Sequence, residues 1–370
     1  MENPQLDRLN ILVVHELDLM KKFSNAGTLG GIETNHKNLM KGLSRRGHTI
    51  IENSPIPKDF KADIIISPTF GPLSFINIWR YKRKYNCACV QHAHTTLDDM
   101  VGGFLPESLV PFAEIYLRNL YKFSEILITP SNFSKGSLIE IAIPTKPSIY
   151  PVSNGVDLKK FSYTDEKREN FRSYLSETHG IDRNKTVVLG VGVVWERKGI
   201  DVFHHLAKQF PNYEFVWVGN TIGTQNIVDK YSKLDNITFT GFVDDIVEAY
   251  CGGDVFFFPS RAENQGIPLL EAAACRLPIL CRALPTYDWL ENDVHCIKED
   301  TREGFKESLK KIVENDELRK KLKVNALENV QEHDIENILD IVEDIYRKSI
   351  KVRKRLLDLV NERKVKKVNE

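Results

Sequence analysis

Arg261-Ala262-Glu263-Asn264-Gln265-Gly266-Ile267-Pro268-Leu269-Leu270-Glu271 follows Pro259-Ser260 and the apolar run Val255-Phe256-Phe257-Phe258. The apolar run reads as a fully buried strand. Gly266-Ile267-Pro268 reads as the opening of a helix, because a first-turn proline gives up an N–H that has no partner there. Strand, loop and helix in that order form the unit from which helix-covered parallel sheets are built. The loop carries Glu263 and the helix Glu271, eight residues further on. Backbone N–H groups near Asn264, Gln265, Gly266 and Ile267 are placed to hold phosphate oxygens at the helix start. A carboxylate on each side is placed to receive hydroxyl groups, and Glu271 is suited to a ribose diol. Taken alone, Glu271 also reads as plain stabilisation of the helix dipole. A pyrophosphate flanked by two polyols, as in a sugar nucleotide, presents the matching pattern.

Outward from this stretch the same alternation recurs. Toward the N-terminus, strands are expected at Ile11–Val14, Ile64–Ile66, Cys89–Gln91 and Ile126–Ile128. Helical patterns separate them, one ending at Arg46 before Gly47 and others near 72–84, 107–123 and 131–141. Pro144 to Ser162 is rich in Pro, Ser, Asn and Gly and reads as a hinge, with Asn154-Gly155-Val156-Asp157 as a turn. The pattern then restarts, with strands near 186–193, 214–218, 237–240, 254–258, 278–281 and 294–297 and helices near 199–209, 244–251 and 267–276. From Thr301 the chain reads as helical to its end. The expected fold is α/β, with two tandem Rossmann-like doubly wound domains and a cleft between them, at residues 1–155 and 156–334. A basic C-terminal helix, 335–370, is expected to pack back on the first domain. Ligands of such sheets bind at the carboxyl ends of the strands.

The 370 residues suffice for two ordinary domains, and 42% hydrophobic with 28% charged is a soluble globular composition. No stretch is long and apolar enough to cross a membrane. The polar start Met1–Asn10 lacks the basic and apolar regions of a signal peptide, so a cytoplasmic protein is expected. Six cysteines without zinc-ribbon spacing read as buried reduced thiols. The zero net charge hides an asymmetry: Arg347–Glu370 holds ten Lys/Arg against three Asp/Glu.

Other positions add chemistry. Gly30-Gly31, between the first strand and first helix, lets backbone approach a phosphate. Arg197 and Lys198 fall at a strand-to-helix turn in Gly190–Gly199, where two fixed cations neutralise a departing pyrophosphate without a metal. His92-Ala93-His94-Thr95-Thr96 follows a strand, and its histidines are placed to touch a sugar hydroxyl or a developing charge. Neither the histidines nor Asp98-Asp99 gathers enough ligands for a metal site, and none is expected. Nucleic-acid binding is not expected either, since aromatic residues are poorly interleaved with the basic tail.

Trp195-Glu196-Arg197-Lys198-Gly199, the Glu263-to-Glu271 motif and Asn154-Gly155-Val156-Asp157 together resemble the retaining glycosyltransferases of family four, which have the GT-B fold. With His92-Ala93-His94-Thr95-Thr96, they look like the glucosyltransferases that act on diacylglycerol-type lipids. The resemblance implies Gly31 at the donor phosphates, His92 beside the donor sugar, Arg197 and Lys198 clamping the pyrophosphate, Glu263 on sugar hydroxyls and Glu271 on the ribose. His92 and Glu263 are the candidate catalytic residues. The resemblance also implies retention by same-face attack, with the nucleotide sugar as co-substrate and no cofactor. Two departures stand out: Val193 replaces a common arginine after Gly192, and Gln265 replaces a common aromatic residue. The expected reaction is hexosyl transfer, glucose from UDP-glucose, to a lipid at the cytoplasmic membrane face; a soluble or polysaccharide-precursor acceptor, an epimerase and a non-catalytic binding module are the alternatives. Phe75–Trp79 running into Arg80-Tyr81-Lys82-Arg83-Lys84 suits an anionic membrane surface. The expected membrane contacts are Trp79, Arg80, Lys82, Arg83, Lys84 and, on a second loop, Phe104 and Leu105.

Overall fold

The computed structural model describes residues 8–19, 30–53, 55–94, 97, 106–140 and 147–369, with backbone only at 107 and 364–369. The chain divides into two units. Among the described residues, the first gathers those within 32–153 and 336–369 together with 8–19, and the second holds 154–335 together with Gly30 and Gly31.

The first unit is a six-stranded parallel sheet of β1 (Asn10–Val13), β2 (Thr49–Glu52), β3 (Ile64–Ser67), β4 (Ala88–His92), β5 (Ile126–Thr129) and β6 (Ser148–Pro151), in the order β2-β1-β3-β4-β5-β6. Its helices are α1 (Gly31–Arg45), α2 (Pro72–Tyr85), α3 (Val110–Tyr121) and α4 (Asn132–Glu140). β1, β3, β4 and β5 are buried along their length apart from the half-buried Asn10, as runs such as Ile64-Ile65-Ile66 require of central parallel strands. β2 and β6 are the edges and are half-exposed. β6 occupies part of the stretch that reads as a hinge. It ends in Pro151, which an edge strand tolerates and a central one does not.

The second unit carries β7 (Val187–Val191), β8 (Glu214–Val218), β9 (Ile237–Gly241), β10 (Val255–Phe258), β11 (Ile279–Arg282) and β12 (Ile297–Glu299), all parallel, ordered β12-β11-β10-β7-β8-β9. Its helices are α5 (Asp165–His179), α6 (Ile200–Gln209), α7 (Gln225–Tyr231), α8 (Ile246–Gly252), α9 (Ile267–Ala274), α10 (Arg302–Glu314) and α11 (Asp316–Asn329). The order is that of the Rossmann fold, with its topological switch between β7 and β10. Phe203 shows how the core is filled: its ring meets Phe215, Trp217 and Phe257 at centroid distances of 5.3, 5.0 and 5.9 Å.

The last helix, α12 (Ile335–Asn369), belongs to the first unit. Leu339 packs where a side chain on Gly42 of α1 would stand. Arg46 donates to Asp340, Glu343 and the Glu336 carbonyl at 2.6, 3.1 and 2.9 Å. All six cysteines are buried free thiols. Among the described residues no helix is long and apolar enough to cross a membrane.

Candidate functional site

In the second unit, the chemistry-bearing loops follow β7 and β10, the two strands that flank the switch. The β7 loop ends in a single 3-10 turn, Glu196–Lys198, closed by Gly199 at φ 79°. A Cβ on Gly199 would lie 2.4 Å from the Pro259 carbonyl oxygen, so both the left-handed backbone and the close approach demand glycine. The two loops are stitched together. The Arg261 N–H donates to the Arg197 carbonyl at 2.8 Å, its guanidinium to the Glu196 carbonyl at 2.6 Å, and the same guanidinium grips Asp201 with two bonds of 2.8 Å.

This framework sets Lys198 against Glu263. The ammonium contacts the Glu263 carboxylate, which also accepts a 2.7 Å bond from the Ser260 hydroxyl. Lys198 further lies 5.4 Å from the centre of the Phe258 ring. The half-buried pair is a cation beside a carboxylate, ready to re-partner with phosphate and hydroxyl respectively. Arg197, in the same turn, stands 5.9 Å over the Trp195 ring.

Gly266, at φ 76°, precedes α9 and has no side chain to cap it; of the first-turn residues Pro268 lacks an N–H and Leu269 donates its own to the Gly266 carbonyl at 2.9 Å. One turn on, Glu271 accepts a 2.7 Å hydrogen bond from the Tyr250 hydroxyl of α8. Burial pushes the Glu271 carboxyl up to about 7, against the opposing pull of Tyr250 and of Lys160. Tyr250 is invisible to a motif search, since it stands on a separate helix. The Gln265 side chain is buried, and its Oε1 accepts the Asn154 N–H at 2.7 Å. That side-chain amide is therefore a strut under the Asn154-Gly155 turn, while the expectation at Gln265 concerns its backbone N–H. Asn264 offers its carbonyl to the Thr286 hydroxyl at 2.6 Å. Arg197, Lys198, Glu263, Asn264, Gly266, Ile267 and Glu271 all lie in the second unit, on these two loops and α9.

The first unit holds the histidines. His92 ends β4 and is buried, with Nε2 2.8 Å from the Tyr346 hydroxyl of α12. His94 stacks on it at 5.9 Å. Burial lowers both, His94 to about 4 and His92 well below its ordinary value, so both rings are neutral at pH 7. Tyr346 is a partner that no local sequence signal announces, being 254 residues away. Gly30, at φ 67°, turns the chain into α1, and Gly31 is the first residue of that helix. His15 and His36 place Nε2 atoms 2.9 and 3.0 Å from one Glu52 oxygen. Those hydrogen bonds hold the Glu52 carboxyl well below its ordinary value. The three groups are close enough to hold a cation. His15 Nδ1 in turn lies 3.4 Å from the Leu17 N–H.

The outer face of α2 exposes Leu73, Ile76 and Trp79 with Arg80, Arg83 and Lys84. Arg83 lies 5.0 Å over the Trp79 ring. Lys82 does not share this face. Its Nζ donates to both Glu125 oxygens at 2.7 and 2.8 Å, because that buried carboxylate needs a counter-charge. Residues outside the α2 motif join the face: Phe112, 70% exposed, and Ile115 on α3, which packs on α2 through Phe75 and Tyr116. Phe104 and Leu105 lie outside the described residues.

Two doubly wound units with fixed cations and paired acids at a Rossmann switch define a GT-B glycosyltransferase. Residues 172–329 match the model of the glycosyl transferases group 1 family. A processive diacylglycerol alpha-glucosyltransferase of Acholeplasma laidlawii is 32% identical over 285 residues, covering 75% of this chain and 83% of that protein. An alpha-galactosylglucosyldiacylglycerol synthase of Streptococcus pneumoniae is 27% identical over 91% of this chain and 90% of its own. The crystal structure of Anabaena HepE with UDP and glucose superposes with a TM-score of 0.75 at 16% identity, covering 92% of this chain and all of that one. The chain belongs to the group 1 glycosyltransferases.

Proposed function

We propose that this enzyme transfers glucose from UDP-glucose to a diacylglycerol-type lipid at an anionic membrane surface. The observation that carries the acceptor is the 32% identity to a diacylglycerol glucosyltransferase. The exposed aromatic and cationic face of α2 and α3 supports it, since such a face suits a headgroup boundary. In this reading, the anomeric C–O bond to the diphosphate breaks and UDP leaves. The lipid hydroxyl oxygen forms the new bond on the same face of the sugar, and its proton passes to the leaving phosphate.

Lys198 and Arg197 take up the charge that grows on that phosphate, together with the N–H groups opening α9. Glu263 exchanges its Lys198 contact for sugar hydroxyls, and Glu271 receives the ribose diol. His92 meets the sugar as a neutral ring, which donates or accepts a hydrogen bond without adding a charge. The test is label transfer from UDP-glucose, UDP-galactose and GDP-mannose to total lipid extract, with UDP release followed with and without lipid. Lipid-dependent release with labelled glycolipid from UDP-glucose is expected. Release that is indifferent to lipid, or label found only in water-soluble products, would overturn the acceptor assignment.

A further inference from the structure

The C-terminal helix has two halves with different surroundings. Between Ile335 and Ser349 it buries Ile338, Leu339, Val342, Ile345, Tyr346 and Ser349 against the first unit. From Lys351 to Arg363 no side chain is buried, yet the helix continues to Asn369. At 1.5 Å per residue, that second half is about 28 Å long. Val352, Leu356, Leu359 and Val360 are all exposed, Leu356 and Leu359 at 46% and 47%. Their spacing of four, seven and eight residues from Val352 puts them on one stripe. Lys351–Glu370 carries eight Lys/Arg against three Asp/Glu.

A hydrophobic stripe in water gives a helix no reason to persist, since isolated helices are marginal without packing. We infer that residues 351–369 form a second membrane-docking helix that lies on an anionic bilayer, with the stripe in the headgroup boundary and the basic side chains on lipid phosphates. This deepens the lipid-surface reading proposed above and rests on it. The helix leaves the body next to the cationic end of α2. Arg353 donates to the side chain of Asn86, the residue that caps α2, at 2.8 Å, and sits 3.7 Å from Glu125, the partner of Lys82. Exposed Arg83 and Lys84 are in the last turn of α2, so the two basic helices adjoin at one corner of the unit. A second copy of the chain fits poorly. The stripe spans little more than one heptad, where a coiled coil needs three or four, and like charges would face each other. Nucleic acid fits poorly too, since 351–370 contains no aromatic residue on which a base would stack.

The test uses the full chain and vesicles of phosphatidylcholine alone or mixed with phosphatidylglycerol, read by co-sedimentation. The variants are Leu356→Glu with Leu359→Glu on the tail, and Trp79→Glu with Phe112→Glu on the α2–α3 face. All four positions are exposed, so folding, checked by thermal melting, is expected to be retained. The tail variant is expected to bind phosphatidylglycerol vesicles about tenfold less than wild type. If it binds as wild type does while the α2–α3 variant is lost, the tail inference is overturned and the lipid-surface reading stands. If wild type ignores both vesicles at low salt, the lipid-surface reading itself falls. A concentration-dependent dimer in sedimentation velocity, abolished in the tail variant with vesicle binding intact, would assign the stripe to a second copy and overturn the inference.

Discussion

Glu271 gives the sharpest test of the donor site, because its ionisation falls within the working pH range. Burial holds its carboxyl at about 7. It is then about nine-tenths ionised at pH 8 and about one-tenth ionised at pH 6. Only the carboxylate accepts two hydroxyl donors, since the protonated acid spends one oxygen on its own proton. The sign follows: lowering pH removes the acceptor, and affinity for the intact sugar nucleotide falls about tenfold from pH 8 to pH 6, one proton being taken up per site. Glu271→Gln removes the charge permanently. Hydrogen bonds to a charged group contribute about 1.5–3 kcal/mol, so this variant should bind about 10- to 150-fold more weakly at pH 8. The gap should narrow to a few-fold at pH 6, where the wild type is itself largely neutral. The assay is calorimetric titration with UDP-glucose at pH 6, 7 and 8. UDP is unsuitable because its terminal phosphate titrates near the same range. A wild-type slope equal to that of Glu271→Gln would refute the assignment of Glu271 to the ribose.

Four further outcomes follow from neighbouring geometry. Tyr250→Phe removes the hydrogen bond that lowers the Glu271 carboxyl, so the acid limb of donor binding should shift to higher pH; an unmoved limb would show that the Tyr250 contact does not bear on it. Lys198→Ala should lower turnover about a hundredfold, as lost contacts to a developing charge do, and unchanged kcat would remove Lys198 from the mechanism. Gly199→Ala meets both the left-handed backbone and the Pro259 carbonyl, and should cost at least about 2 kcal/mol, visible as a melting point lower by about 4 °C or more. Trp79→Glu with Phe112→Glu should lower activity on lipid dispersed in anionic vesicles while leaving donor affinity alone; equal activity would exclude this face from acceptor delivery.

The sequence made the central strands legible because parallel strands buried on both faces read as unbroken apolar runs, as at Ile64–Ile66 and Val255–Phe258. The edge strands of the first sheet were not legible. Thr49–Glu52 mixes polar and apolar residues because one side faces solvent, and Ser148–Pro151 hides in a proline-bearing stretch. Helix α5 also escapes notice, since Asp165–His179 is mostly charged and buries only Phe171, Arg172 and Leu175. At the site, the sequence displays the residues that carry chemistry in fixed local spacing, Arg197-Lys198 and Glu263 to Glu271. It conceals partners brought in by tertiary packing: Tyr250 on Glu271, Tyr346 on His92, Gln265 on Asn154. It also misjudges Lys82, because the position of Glu125 across the sheet cannot be read from a run of cations.

The first unit is assembled from both ends of the chain, with Asn154–Ile335 intervening. On the ribosome its sheet is synthesised early but lacks its α12 cover until residues 335–369 are read, whereas the second unit has all its strands before α12 is made. Premature termination near residue 335 should therefore leave a sound second unit joined to an unfinished first, with Gly42, Arg46 and His92 stripped of their contacts. Quality control of the nascent enzyme would then turn on the arrival of α12.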